Sequence, residues 1–209
     1  MGTYKYKYNW NFFKKDSEEL YYFLGFIAAD GYINDYAIEI GLNEKDKYLL
    51  EKFRDLIVPD MPLYEKKRTN SFTLKISGKS KMKDFKDFFG MTSNKKGEEL
   101  KFPEIKEEYL RHFIRGYFDG NGSIGTTKSY RGTNEYIGTR IRILANKNFL
   151  TSLNEVTAKY CNHNTKAITK RKNEDVFEIT YVFSTADRIL HWMYDDSTIY
   201  LERKKEKVL

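Results

Sequence analysis

Cysteine, histidine and long apolar runs are all scarce in this chain of 209 residues, and each scarcity closes off a class of protein. The lone cysteine, Cys161, excludes an intramolecular disulfide framework and a cysteine-based zinc site. His112, His163 and His191 form neither a His-Glu-x-x-His motif nor a Cys/His cluster, so no zinc hydrolase centre is readable. The most apolar stretch, residues 21–29, is too short to span a bilayer. Residues 1–10 alternate tyrosine with lysine and lack the apolar core of a secretory signal. A soluble intracellular protein is expected, cytoplasmic in a prokaryotic or phage host or else organellar, with no membrane partner.

What is present is a basic, aromatic chain. Tyrosine and phenylalanine number 17 and 15, enough large apolar side chains to argue against disorder. The net charge of +7 favours a polyanionic partner, nucleic acid above all.

The chain also repeats itself. Residues 23–33 and 114–124 carry Gly25 and Gly116, Gly31 and Gly122, and Ile33 and Ile124 at one constant offset of 91. Asp30 and Asn121 correspond at the same offset. After each copy the hydrophobic period changes in the same order. In the first half a strand pattern over 36–42 precedes a helix over 45–57, strands over 63–68 and 71–77, and a helix over 81–89. The second half gives a strand over 136–144, a helix over 148–160, strands over 166–172 and 176–183, and a helix over 186–194. A last basic helix over about 199–207 has no counterpart. The fold class expected is α+β, a pseudo-twofold pair of αββαββα halves. The N-terminal half spans 1–95 and the C-terminal half 106–209. The linker, 96–105, contains Pro103, one of three prolines, just after the Lys95-Lys96-Gly97 run.

Read as a helix, each motif copy has a stripe of small residues, Gly25 with Ala29 and Gly116 with Gly120, that lets two backbones approach. Gly31 and Gly122 then fit as left-handed glycines closing the helices. Asp30 and Asn121 would sit side by side at the two C-terminal ends. Helix C-termini present unpaired carbonyls and the negative end of the dipole, so an acid there calls for a cation. Asp30 and Asn121, with the carbonyls of Ala29 and Gly120, form a candidate hard-oxygen site for Mg²⁺ or another divalent ion such as Mn²⁺ or Ca²⁺. One such helix would be an ordinary packed helix with a glycine cap; two in register set that reading aside.

With these motifs the chain resembles the LAGLIDADG homing endonucleases of the single-chain, two-repeat type. Leu100-Lys101-Phe102-Pro103 is similar to the family's inter-repeat linker, and residues 192–204, Trp-Met-Tyr-Asp-Asp-Ser-Thr-Ile-Tyr-Leu-Glu-Arg-Lys, to its C-terminal signature. The resemblance implies a motif-helix interface and curved antiparallel sheets that form a saddle over the DNA major groove. It also implies motif-end acids that bind divalent metal and cut both strands of a long pseudo-palindromic site. Related members are maturases or DNA binders that no longer cut. Two halves in one chain imply a monomer.

Period-2 patterns support the saddle independently. Phe72, Leu74 and Ile76 oppose Thr73, Lys75 and Ser77, while Ile137, Ile141 and Ile143 oppose Tyr136, Arg140 and Arg142. Lys67, Arg68, Arg140, Arg142, Lys170 and Lys172 are the candidate DNA contacts, divided between bases and phosphates. The family places a basic residue near the metals at the end of a half's last strand. Lys75 matches it as a catalytic candidate, and Thr180 stands at the corresponding point of the second half.

Asn121 departs from the family pattern, which has an acid there. Asparagine keeps the shape and loses the charge, so metal-dependent hydrolysis is expected to be weakened or lost. Three forms fit: an inactivated enzyme that traps uncut DNA, a lineage that kept binding without cleavage, and a nickase. The alternative is a non-cleaving DNA binder or RNA-intron maturase.

Overall fold

The computed structural model describes residues 6–92, 99–172 and 176–208. Lys95, Lys96 and Gly97, and with them the boundary drawn at 95/96, lie outside the described residues. The element order is α1 (Glu18–Asp30), β1 (Tyr32–Ile33), β2 (Ala37–Asn43), α2 (Lys47–Ile57), β3 (Tyr64–Lys66), β4 (Ser71–Ser77) and α3 (Lys79–Phe88). It then repeats as α4 (Glu107–Asn121), β5 (Gly122–Arg131), β6 (Asn134–Ala145), α5 (Lys147–Tyr160), β7 (Ile168–Lys170), β8 (Phe177–Val182) and α6 (Phe183–Tyr194). A single turn, α7 (Glu202–Lys205), follows. The αββαββα order appears twice. Two antiparallel sheets, ordered β1-β2-β4-β3 and β5-β6-β8-β7, carry it. Among the described residues no helix is long and apolar enough to cross a membrane.

Several expectations shift. The helix expected over 45–57 starts as a 3-10 turn, Glu44–Asp46, and only then becomes α2. The last basic helix contracts to four residues: the extended Leu201 precedes it and its carbonyl accepts from the Lys204 and Lys205 amides, and residues 206–208 continue as turns. Gly31 and Gly122 are not left-handed; their φ/ψ are −72°/144° and −93°/162°, extended backbone leading straight into β1 and β5. Glycine is required there for space. A Cβ on Gly31 would lie 2.9 Å from Ile27, and one on Gly122 only 2.1 Å from the Phe118 ring.

α1 begins at a standard cap, Ser17 Oγ accepting from the Leu20 amide at 3.2 Å, with Glu18 and Glu19 in the first turn. All nine residues from Leu20 to Ala28 are buried, so α1 is a core helix rather than a surface one. Its partner is α4, and the contact is main chain to main chain. A Cβ on Gly25 would meet Phe113 O at 2.0 Å and Tyr117 N at 2.9 Å; one on Gly116 would meet Tyr22 O at 2.0 Å and Phe26 N at 3.0 Å. These partners exchange under the same 91-residue offset, so the contact is reciprocal. On either side Phe23, Phe26 and Phe53 pack in the first half, and Phe113, Tyr117 and Phe149 in the second.

Arg115 on α4, fully buried, ties the helix pair to the C-terminal segment. It donates to Glu18 at 2.6 Å, Met193 O at 2.7 Å and Ile199 O at 3.0 Å. His112 Nδ1 lies 3.1 Å from an Arg115 nitrogen that can only donate, so the imidazole must accept there and stay neutral. Burial and then Arg115 push its pKa down to about 4.

Gly116→Ala should destabilise by at least about 3 kcal/mol in urea unfolding, the upper end of overpacking costs, because its Cβ meets backbone that cannot swing aside. His112 gives a pH signature. The unfolded imidazole binds a proton below its ordinary value of 6.5 and the folded one only near 4. Its contribution to stability is therefore present above pH 6.5 and lost as pH falls toward 4. His112→Gln should flatten the slope of unfolding free energy against pH in that window.

Candidate nucleic-acid interface and catalytic centre

Because the helices touch backbone to backbone, their C-terminal ends arrive together. A Cβ on Gly120 would lie 2.5 Å from Ala29 Cβ and 3.5 Å from both Asp30 Cβ and Asp30 N. Asp30, the last residue of α1, is exposed; Asn121, the last of α4, is half-buried. Asn121 Nδ2 donates to Leu144 O on β6 at 2.7 Å, and Tyr117 OH donates to the same oxygen at 2.8 Å. Asn121 is thus committed to the sheet through its nitrogen, a bond a carboxylate cannot make.

The end of α4 carries equipment that the repeat did not reveal. Lys204, buried, donates to Phe118 O, to Asp119 O at 2.9 Å and to Gly122 O at 2.6 Å, and its ammonium lies over the Phe118 ring. A cation on these carbonyls offsets the negative end of the helix dipole. Burial lowers the Lys204 pKa to about 8. Asp119 beside it is almost fully buried and accepts from Tyr22 OH at 2.7 Å, from Tyr194 OH and from Leu201 N at 2.8 Å. Burial raises the Asp119 pKa, opposed by Lys204 and the two tyrosines. Neither motif helix has a basic residue in its own last turn. Hydrophobic periodicity cannot announce a buried lysine. The available signal was the extent of the likeness over residues 192–204, more than a solvated basic helix needs.

Strand register decides which candidate contacts share a face. In the second sheet Ser123, Arg142 and Thr180 align across three strands, as do Gly125, Arg140 and Val182. Ile141 and Ile143 alternate with the arginines and are buried, so Arg140 and Arg142 belong to the face away from the helices. Arg142 is 3.8 Å from Glu178. In the first sheet Tyr32, Glu39 and Lys75 form the row equivalent to Ser123, Arg142 and Thr180, which confirms Thr180 as the counterpart of Lys75. Lys75 Nζ is 2.7 Å from Glu39, whose hydrogen bond and charge raise its pKa.

Four basic candidates fall elsewhere. Lys67 and Arg68 occupy a 3-10 turn, Lys67–Thr69, because Asn70 turns left-handed at φ 44°. Lys170 pairs with Phe177, one residue out of phase with the outer row, so it takes the same side as Ile168 and Ile179. Lys172 lies beyond the end of β7, in a turn. Ile137 has core parity but is 63% exposed, since the β5–β6 hairpin runs past the helices at that point.

No cluster of three or more His, Cys, Asp or Glu occurs among the described residues. The oxygens that the helix ends bring together are the Asp30 carboxylate, Asn121 Oδ1 and the carbonyls of Ala29 and Gly120, the last not among the three bonded by Lys204. This hard-oxygen set fits one divalent cation on the Asp30 side, with water completing its shell. It does not provide a second charged ligand on the Asn121 side.

The architecture is that of the LAGLIDADG homing endonucleases. The I-LtrWI LAGLIDADG homing endonuclease bound to target DNA superposes with a TM-score of 0.62 at 14% identity, over 91% of this chain and 87% of its own. I-SmaMI, bound to an uncleaved DNA target in the presence of calcium ions, gives 0.60 at 12% identity, over 93% and 94%. The LAGLIDADG meganuclease I-CpaMI bound to uncleaved DNA gives 0.62 at 14%, over 92% and 89%. No family model matches the sequence. In sequence the chain is 26% identical over 194 residues, 90% of its length, to the DNA-directed RNA polymerase subunit Rpo1C of Methanocaldococcus jannaschii, and spans only 20% of that protein.

Removing the lysine isolates its part. Lys204→Met should cost about 3–5 kcal/mol in urea unfolding, the usual penalty for breaking a buried charge arrangement on one side. Amide hydrogen exchange at residues 121–124 should accelerate more than in α2, which Lys204 does not cap; equal acceleration would count against local positioning.

Proposed function

We propose that this chain is a site-specific DNA-binding protein of the homing endonuclease type, with metal-dependent phosphodiester hydrolysis retained at Asp30 and weakened or lost at Asn121. The observation that carries the reading is the reciprocal glycine contact of α1 and α4, which sets Asp30 against Gly120 in a fold shared with DNA-bound nucleases. Asp30, with the carbonyls of Ala29 and Gly120, would hold Mg²⁺, or Mn²⁺ or Ca²⁺ in its place. Such an ion would supply an activated water and stabilise a departing oxygen.

The protein groups divide the remaining work. Arg140 and Arg142 face the major groove, where arginine favours guanine. Lys67, Arg68 and Lys172, on turns, contact phosphates, as does Lys170 from its strand end. Lys75 leaves Glu39 to face the reacting phosphate as charge develops. The N-terminal half (1–95) and C-terminal half (106–209), joined by 96–105, act together as a monomer on duplex DNA inside the cell. A non-cleaving binder is the second reading, favoured by one observation: Asn121 donates to Leu144 O and so turns its nitrogen into the sheet.

Duplexes enriched from a randomised library by the full chain provide the substrate. With Mg²⁺ the parent should leave them uncut or nicked in one strand. Asn121→Asp should cut both strands at least about tenfold faster, since a carboxylate is repelled by Leu144 O and turns toward the cation, while Tyr117 still serves that carbonyl. Asp30→Asn in that background should abolish cleavage without loss of binding. If Asn121→Asp cuts no better than the parent, position 121 has no catalytic role and the non-cleaving reading stands. Binding should fall steeply with salt, as counterion release requires. Tighter binding to structured RNA than to enriched duplex would favour a maturase.

A further inference from the structure

The two sheets differ most in their first hairpin. β1 and β2 share two ladder pairs, Tyr32 with Glu39 and Ile33 with Ile38. The hairpin is shut at once by Asn34, whose Oδ1 accepts from Tyr36 N at 2.8 Å and Ala37 N at 2.9 Å, an Asx turn. The corresponding strands β5 and β6 run through ten pairs, from Gly122 with Ile143 to Arg131 with Asn134, and turn only at Gly132, φ 61°. β8 covers β6 no further than Arg140, so residues 126–139 form a two-stranded arm beyond the sheet.

The arm leaves the body of the protein. Tyr130, Tyr136 and Ile137 are 64%, 46% and 63% exposed. Its root, in contrast, is held by an unusual contact. Phe183 adopts φ 50°, a left-handed conformation that a non-glycine residue rarely takes. Its ring lies on Gly138, where an added Cβ would be 2.2 Å from a ring carbon. Gly138 lies opposite Thr127, at the first pair past the covered sheet with outer-face parity. Strain at the root together with exposure of the tip marks an arm that is aimed rather than slack. Lys128 and Tyr130 both bond Glu135 at 2.8 Å and stiffen the tip.

We infer that this arm is a specificity-determining extension that reads one flank of the DNA, so that the two half-sites are unequal in length. The inference rests on the DNA-binding reading above. The occupant is assigned by chemistry and continuity. Ser129, Arg131, Asn134 and Tyr136 share the face that holds Arg140 and Arg142, and every one of them can hydrogen-bond. A two-stranded ribbon fits the major groove. Six further pairs at about 3.4 Å per residue extend the ribbon by roughly 20 Å, which is at most about six base pairs. The first half has no such element, because Asn34 ends its hairpin. The target is then lopsided, against the near-equal half-sites implied by the sequence resemblance.

The test compares duplexes enriched from a randomised library by the full chain and by a variant in which residues 128–137 are replaced by an Asn-Gly turn. Parent sites should show constrained positions reaching up to about six base pairs farther on one side of the centre. The variant should lose those positions alone, keep its melting temperature, and bind parent-selected duplex at least about tenfold more weakly. Should the shortened hairpin disturb folding, Arg131→Ala with Tyr136→Ala, both at exposed positions, should give the same one-sided loss. Equal flanks in the parent, or unchanged sites in both variants, overturn the inference and leave the DNA-binding reading intact. Failure of the parent to enrich any duplex overturns both. A shift from dimer to monomer on shortening, with DNA sites unchanged, would assign the arm to a second copy and likewise overturn it.

Discussion

Everything in this molecule hangs on one close approach, the main chain of α1 against the main chain of α4 at Gly25 and Gly116. A methyl group at either position would meet a carbonyl oxygen at 2.0 Å. The contact is reciprocal, so it fixes the helix pair along its length as well as its separation. That is why Gly120 comes to Asp30, although they are 90 residues apart in sequence. Their C-terminal ends, where the chain turns out into β1 and β5, emerge side by side, and aromatic rings flank the glycine contact on either side.

The symmetry stops at the polar clamp. At the 91-residue offset, Leu24 stands where the second half has Arg115, and Ala28 where it has Asp119. The charged set around α4 is therefore an addition to one copy of the motif. Most of its partners, acceptors for Arg115 and donors to Asp119 and the end of α4, come from the C-terminal segment, which also reaches the first half: Thr198 N and Arg115 share Glu18, Arg203 bonds Asp46 at 3.1 Å, and Glu202 N bonds Tyr48 OH at 2.6 Å. A segment that follows the second half in sequence thus belongs in space to both. Buried ionic groups add little net stability, and losing one partner is costly. The clamp is better understood as fixing one arrangement of the helix ends than as the source of the fold's stability.

The sequence disclosed what periodicity and repetition can encode. The 91-residue repeat gave the helix pair, and the alternation around Leu74, Ile76, Ile141 and Ile143 gave the buried sheet faces, because burial leaves a period in the chain. Features decided by a single contact were not legible. The pattern of Gly31 and Gly122 suggests left-handed caps, whereas each is glycine because the residue four positions earlier fills the space, Ile27 with backbone and side chain and Phe118 with its ring. The register of Lys170 was not legible either, because the stretch around it is too short and polar to show a period. Lys204 lies in a basic run, where nothing local distinguishes a buried cation from an exposed one. The length of the β5–β6 hairpin was hidden for a similar reason: residues 122–131 alternate weakly and bury little.

The departure at position 121 changes meaning once its surroundings are known. In isolation, Asn121 is a lost charge in a motif that asks for an acid. Within the structure its nitrogen holds Leu144 O at 2.7 Å, and the neighbouring carbonyls already face the Lys204 ammonium. The second helix end is therefore close to charge-balanced without an external ion. The first differs: it ends in an exposed carboxylate at the negative end of a helix dipole, with no basic residue in its own last turn. Two ends built from the same motif thus differ in charge, one an amide beside a buried lysine and the other a carboxylate at the surface. An acid at 121 would restore the symmetry of charge at the cost of one good hydrogen bond to the sheet, about 1 kcal/mol. So small a stability term lets position 121 hold either an amide or an acid without threatening the helix pair, which depends on Gly25 and Gly116 and not on the residue that ends α4.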